Sequence, residues 1–291
     1  MANTKNSAQW VDVLRPSKND LESLAKNFYI HPLILEELKG PSARSRVELY
    51  DGYLYLIYYF PVYDPAEKTS RRAEIDFLIS KNTVATIHYE KFEALENFKA
   101  PAGKSSLEVV YKLIEALLNF EERQLRHIRE EVEKIGKGLF NDKENAILKE
   151  ISYIKRDISE YRVIVRSQGV ILKSLVGRGI KFWGQDSVPY LDDLVGDHLK
   201  IVDQIEDYRQ AISDFEDTNN QLMNLKINSA MKTFTALSFL TFPFMLIATI
   251  FSMRTQDMPL VNAHGAFWII VGFMALAIIT LSIYFKKRGW F

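Results

Sequence analysis

Cysteine is absent from the 291-residue sequence, which excludes disulfides and thiolate metal sites. Surplus charge is absent too: 37 basic residues balance 37 acidic ones, which argues against a general nucleic-acid binder. Histidines are few and unpaired. His31, His88, His127, His198 and His264 lie far apart with no HExxH spacing, so each reads as a packing or surface residue. Gly177-Arg178-Gly179 lacks the remaining glycine of a dinucleotide loop and the GKS/T of a P-loop, and Asp197-His198 alone makes no catalytic dyad. Together these absences predict that the protein is not an enzyme. The opening MANTKNSAQW is polar with no apolar core behind it, which predicts no cleavable signal and keeps the residues before the first apolar run on the side of synthesis.

Long uncharged runs are missing from most of the chain and then occur twice in its last quarter. Phe234 to Phe251 and Ala266 to Phe285 carry no charge, and each has about the length a helix needs to cross a bilayer core of roughly 30 Å. Lys286, Lys287 and Arg288 follow the second run, and Lys226 and Lys232 precede the first. Basic flanks favour the cytoplasmic side, so both termini are expected there, in a multi-pass protein of the cell membrane.

The first hundred or so residues read as a small α/β domain. HPLILEELKG is a helix closed by Gly40. RVELYDGYLYLIYYF alternates on both sides of Asp51-Gly52, a hairpin signal, and AEIDFLIS and TVATIHYE form a second strand pair around Lys81-Asn82. The aromatic density at Tyr50, Tyr53, Tyr55, Tyr58, Tyr59 and Phe60 fits core and cross-strand packing better than a stacking platform. From Ser105, three before Glu108 in a capping box, apolar residues recur at helical spacing to about Leu139. Asn141-Asp142 caps a second helix to Gly177, a Gly177 to Gly184 loop follows, and Ser187-Val188-Pro189 opens a third helix with proline in its first turn. Nothing stops that helix before Ser252, which predicts a rod of roughly 100 Å. Gly196 and Pro243 are its expected bends, and a proline within a span is tolerated where neighbouring helices satisfy the freed carbonyl.

Alternating steps of four and three along this rod give Asp217, Gln221, Asn224, Asn228, Met231, Thr235, Ser238, Phe242, Met245, Thr249 and Ser252. Such a heptad seam faces a common axis when several helices pack around it. This one is mostly polar, whereas the positions beside it are apolar (Phe234, Leu237, Phe239, Leu240, Leu246, Ile247 and Ile250). Hydrogen-bonding groups at bilayer depth suit water or a hydrated ion on the axis, with Met231, Phe242 and Met245 as apolar constrictions. The alternative is that the hydroxyls bond back to their own helix or join neighbouring helices. Between Asp192 and Asp217 there are nine acids against Lys200 and Arg209. Multiplied around an axis, that imbalance would concentrate cations.

MKTFTALSFLTFPFMLIATIFSMRTQDMPL, followed by a second span ending YFKKRGWF, resembles the CorA family of divalent-cation channels. Their tail has an MK-x-LT opening, a mid-span proline, an IAGIYGMN end and an MPEL loop. HPLILEELKG, RVELYDGYLYLIYYF and FLISKNTVATIH are similar to that family's amino-terminal domain, so the resemblance covers nearly the whole chain. It implies an α+β cytosolic domain, a funnel of long helices and two transmembrane helices in a homopentamer with a central pore lined by the first span. It also implies passage of Mg²⁺, or of Co²⁺ or Ni²⁺, down the electrochemical gradient, and closure when Mg²⁺ binds acids between subunits. Candidates for that regulatory site are Asp192, Asp193 and Asp197. Asp217, Asn228, Met231, Phe242 and Met245 fall on the family's pore-facing places.

The expected division is a cytosolic domain at 1–104, a long-helix funnel at 105–230, a pore-lining span at 231–254, an outer loop at 255–265, a second span at 266–285 and a basic tail at 286–291. One place departs from the family pattern. Where CorA has GMN this chain has Ser252-Met253-Arg254, and where it has MPEL this chain has Met258-Pro259-Leu260-Val261. Asparagine offers a carbonyl oxygen to hydrated Mg²⁺, whereas arginine offers only donors and a permanent charge. Five Arg254 side chains at about 8 Å would repel a divalent ion by roughly 5 kcal/mol in water, about half that after screening. Asp257, three residues on, can pair with Arg254 and restore a neutral ring; in the other arrangement Arg254 points away and Ser252 forms the mouth. A diverged mouth leaves two readings of the whole: a channel with altered selectivity, for Mg²⁺ or another divalent ion such as Zn²⁺, or a nonconducting, membrane-tethered cation sensor or scaffold.

Overall fold

The structure, a computed structural model, describes residues 7–140, 144–253 and 265–288, in two units, Met1–Glu216 and Asp217–Phe291. The first unit opens with a strand that local sequence did not announce, β1 (Gln9–Leu14), and a helix α1 (Lys18–Phe28). Ser17 and Asp20 cap α1 reciprocally: the Ser17 hydroxyl accepts from the Asp20 N–H and the Asp20 carboxylate from the Ser17 N–H. The short helix α2 (Pro32–Glu37) follows with proline in its first turn, one of the few places where a missing N–H costs nothing.

Four further strands are β2 (Arg46–Leu49), β3 (Leu54–Asp64), β4 (Thr69–Ile79) and β5 (Thr83–His88). The sheet order is β1-β5-β4-β3-β2, with β1 parallel to β5 and every other pair antiparallel. Both hairpins stand where the alternation placed them. Gly52, at φ 87°, supplies the left-handed backbone of the first turn. Period two then sorts β3 between two cores. Tyr53, Tyr55, Ile57 and Tyr59 pack with Leu24, Phe28, Ile34 and Leu38, and Leu54, Leu56, Tyr58 and Phe60 pack with the long helices. The tyrosines are therefore core residues: Tyr55 and Tyr58 are wholly buried, and Tyr50 stacks on Tyr53 at 4.9 Å.

After the short α3 (Glu93–Glu96), the helix α4 (Ser106–Gly138) starts at the expected Ser105–Glu108 box. The next helix, α5 (Glu144–Trp183), runs through Gly177 and Gly179 rather than stopping at Gly177. At Gly179 the reason is packing. A Cβ on Gly179 would lie 2.5 Å from Cδ1 of Leu191, so this glycine permits a close approach instead of breaking the helix. The turn comes at Gly184, φ 94°, followed by a single 3-10 turn and then α6 (Val188–Ser252), with Pro243 inside it. Helices α4, α5 and the first part of α6 share one core with the sheet.

The second unit holds the rest of α6 and α7 (Ala266–Lys287). Among the described residues, these two helices alone are long and apolar enough to cross a membrane.

Candidate functional site

Helix periodicity of about 100° per residue divides the apolar part of α6 into two opposed faces. Ala236, Leu240, Phe244, Ile247 and Phe251 form one: Ala236 is wholly buried, Phe244 nearly so and the others half-buried. Beside it, Phe239 meets Phe285 of α7 with ring centroids 6.5 Å apart. Thr235, Ser238, Phe242, Met245 and Thr249 lie about 180° away on the opposite face. With Phe239, Pro243 and Leu246 they line an open groove of about 840 Å³. On the expected seam Met231, Phe242 and Met245 are each about 60% exposed, as are Phe234 and Leu246 off it, whereas Thr235 and Ser238 are half-buried.

The hydroxyls on this face are satisfied locally. Thr235 donates to the Met231 carbonyl at 2.7 Å, Ser238 to the Phe234 carbonyl at 2.9 Å and Thr249 to the Met245 carbonyl at 2.6 Å. Each oxygen keeps lone pairs for a water or a hydrated ion, so the local bonds remove the desolvation penalty without removing the acceptor. Closer to the first unit, Asp217, Gln221, Asn224 and Asn228 continue the seam as exposed side chains. At its other end Ser252 and Met253 are exposed, and Arg254 and Asp257 lie outside the described residues.

Taken backwards from Asp217, the same three-four step reaches Asp214, Gln210, Asp207 and Asp203. A count of acids along the sequence assigns Asp203, Asp207 and Asp214 no face. Asp203 and Asp207 are exposed, and Asp214 accepts a hydrogen bond from Gln210 at 2.9 Å. Glu206 and Glu216, beside this stripe, instead bind the cations of Arg162, Arg209 and Lys155 at 3.0, 2.8 and 2.6 Å. Lys155 and Arg162 of α5 and Arg209 of α6 therefore neutralise these two flanking acids, while Asp203 and Asp207 stay exposed on the stripe.

Asp192, Asp193 and Asp197 do not converge within one chain. Tyr111 donates to Asp193 at 2.7 Å, Lys200 to Asp197 at 2.6 Å, and Asp192 lies about 100° round the helix from Asp193. Among the described residues no group of three or more histidines and acids is placed to hold a metal ion. His198, 2% exposed, belongs to the core. Burial, reinforced by the positive charge of Lys173, pushes its imidazole down to about 4, so it is neutral at physiological pH.

The chain matches the sequence pattern of the family described as "CorA-like Mg2+ transporter protein" over residues 5–287. It belongs to that family. The cobalt/magnesium transport protein CorA of Thermotoga maritima is 23% identical over 97% of this CorA-like chain and 83% of its own length. Among solved structures, the complete CorA magnesium transporter from Methanocaldococcus jannaschii aligns with a TM-score of 0.82 at 20% identity, covering 97% of this chain and 91% of that one. The full-length CmaX protein aligns with a TM-score of 0.72 at 15% identity, over 97% and 88%. The α/β unit, the long α6 and the two apolar helices are thus a CorA fold, and the protein is a multi-pass membrane protein.

Proposed function

We propose that this CorA-like chain assembles as a homopentamer around its α6 helices and passes divalent cations, Mg²⁺ foremost, across the cell membrane down their electrochemical gradient. The observation that carries this reading is the opposition of faces on α6. One side of the helix is apolar, and the side about 180° round from it carries the hydroxyls and, further along, the amides and Asp217. Water or a hydrated ion on an axis meets the amides and Asp217 better than an apolar surface does, and the hydroxyls, already bonded to their own helix, keep acceptor lone pairs for it. Met231, Phe242 and Met245 are the proposed apolar constrictions. The stripe of Asp203, Asp207, Asp214 and Asp217, repeated by each subunit, would gather cations beneath them. Asp192, Asp193 and Asp197 are the proposed inner Mg²⁺ sensor, completed by acids of a neighbouring subunit.

Arg254 favours a second reading, a nonconducting cation sensor or scaffold tethered to the membrane. Ion-by-ion flux from purified protein in liposomes separates the two. Divalent influx by the wild type, reduced when Asn228 is replaced by Leu, is expected of the channel. Cation binding with a change of shape, and no flux for any tested ion in the wild type or the Arg254→Asn variant, would establish the sensor.

A further inference from the structure

Two ion-pair groups bracket a recess where α5 and α6 run antiparallel in the first unit. At one end Lys155 meets Glu216 at 2.6 Å; at the other, Glu206 is shared by Arg162 at 3.0 Å and Arg209 at 2.8 Å. Between them lies a cavity of about 230 Å³, floored by Ile158 and Ile212 and walled by Lys155, Arg162, Arg209, Ser159 and Ser213. Glu206 and Glu216 stand outside that lining. The wall therefore presents three cations and two hydroxyls, with the two glutamates paired to the cations behind it and one positive charge in excess.

The glutamates hold the cationic heads in place without using up their donors. A guanidinium has five N–H groups in a planar fork and an ammonium has three, so Arg162, Arg209 and Lys155 all keep donors beyond their ion pairs. Arg162 Nε faces the Glu206 carboxylate at 3.0 Å, which leaves the two terminal NH2 groups of its guanidinium for a further acceptor. The Arg166 cation, near enough to lower the pKa of the Glu206 carboxyl, adds to the positive field. A cation would be repelled here, and an apolar ligand would leave the donors unmet.

We propose that this recess binds a phosphate group, either free phosphate or the phosphate tail of a nucleotide. Three cations on two helices keep spare donors and one positive charge in excess of their glutamate partners, and the two serine hydroxyls reach oxygens the cations leave. An occupant would fasten α5 to the helix that continues into the membrane.

The test is calorimetric titration of full-length protein in detergent, free of Mg²⁺, with inorganic phosphate, ATP and adenosine, alongside thermal unfolding with each. Saturable binding of phosphate or ATP with a rise in unfolding midpoint is expected, and no binding of adenosine. Tight binding of phosphate alone identifies the free anion; binding of ATP with far weaker phosphate identifies the nucleotide. Arg209→Gln should weaken binding about tenfold or more, the scale of one lost charge-assisted hydrogen bond. Should that variant fail to fold, the Ser159→Ala/Ser213→Ala pair keeps every ion pair and should still weaken binding severalfold. No saturable binding by the wild type, or undiminished binding by the variants that fold, overturns the proposal.

Discussion

Arg254 is the residue at which the proposed conduction is most directly tested. If its charge is the barrier at the mouth, Arg254→Asn raises divalent influx into liposomes by about tenfold or more, as a repulsion of a few kcal/mol requires; unchanged influx removes the arginine from any dominant role. The partner is tested by a double-mutant cycle, in which Asp257→Asn should alter flux strongly with Arg254 present and little with asparagine there. Glu121 poses a different question at the same scale. It is wholly buried on α4, accepts from Gln168 Nε2 at 2.6 Å, and its burial pushes the carboxyl up to about 8 against the pull of Gln168 and Tyr58. The folded state therefore holds a proton that the unfolded chain releases at ordinary carboxyl pH. Stability from this group is complete below about pH 4.5 and is lost as pH rises toward 8, at about 1.4 kcal/mol per pH unit at most. Glu121→Gln is expected to flatten that decline, seen as a gain in unfolding midpoint over wild type that widens from pH 5 to pH 8. An equal difference at both pH values would refute the protonated carboxyl.

Individual helices and strands were legible wherever a local signal sufficed. Asp51-Gly52, Lys81-Asn82 and the Ser105–Glu108 box each settle a boundary within four residues of chain, and each stands as read. Strand β1 was not legible, because its six residues are stabilised by β5 far along the chain: Gln9 lies opposite Thr83, and Trp10 Nε1 donates to Thr86 at 3.0 Å. Gly179 misled for a related reason. Glycine reads as a helix stop when only neighbours in sequence are considered, whereas here the Leu191 side chain occupies the space a methyl group would need. Gly179→Ala should consequently destabilise the first unit, by roughly 1–3 kcal/mol for forced overpacking, although alanine is the better helix former. A rise in unfolding midpoint would mean that Leu191 simply moves aside. On α6 the four-three rhythm was visible from Asp217 onward. The pairing of Glu216 with Lys155 and of Glu206 with Arg162 needed coordinates, since these residues are distant in sequence.

For the assembled molecule, charge acts collectively. Replacing Asp203, Asp207 and Asp214 together with Asn removes three negative charges from every subunit and, in a pentamer, fifteen from the proposed throat. Divalent flux at low ionic strength should fall severalfold, and the deficit should shrink as salt shortens the Debye length to about 8 Å. A deficit that salt leaves untouched would point to damaged packing instead of lost attraction. The parallel union of β1 with β5 also bears on how the molecule is made. That edge cannot be zipped until the ribosome has released His88, so β1 is obliged to wait for β5, and the antiparallel hairpins form the template on which it finally lands. A nascent chain halted before Thr83 has no seat for its own beginning.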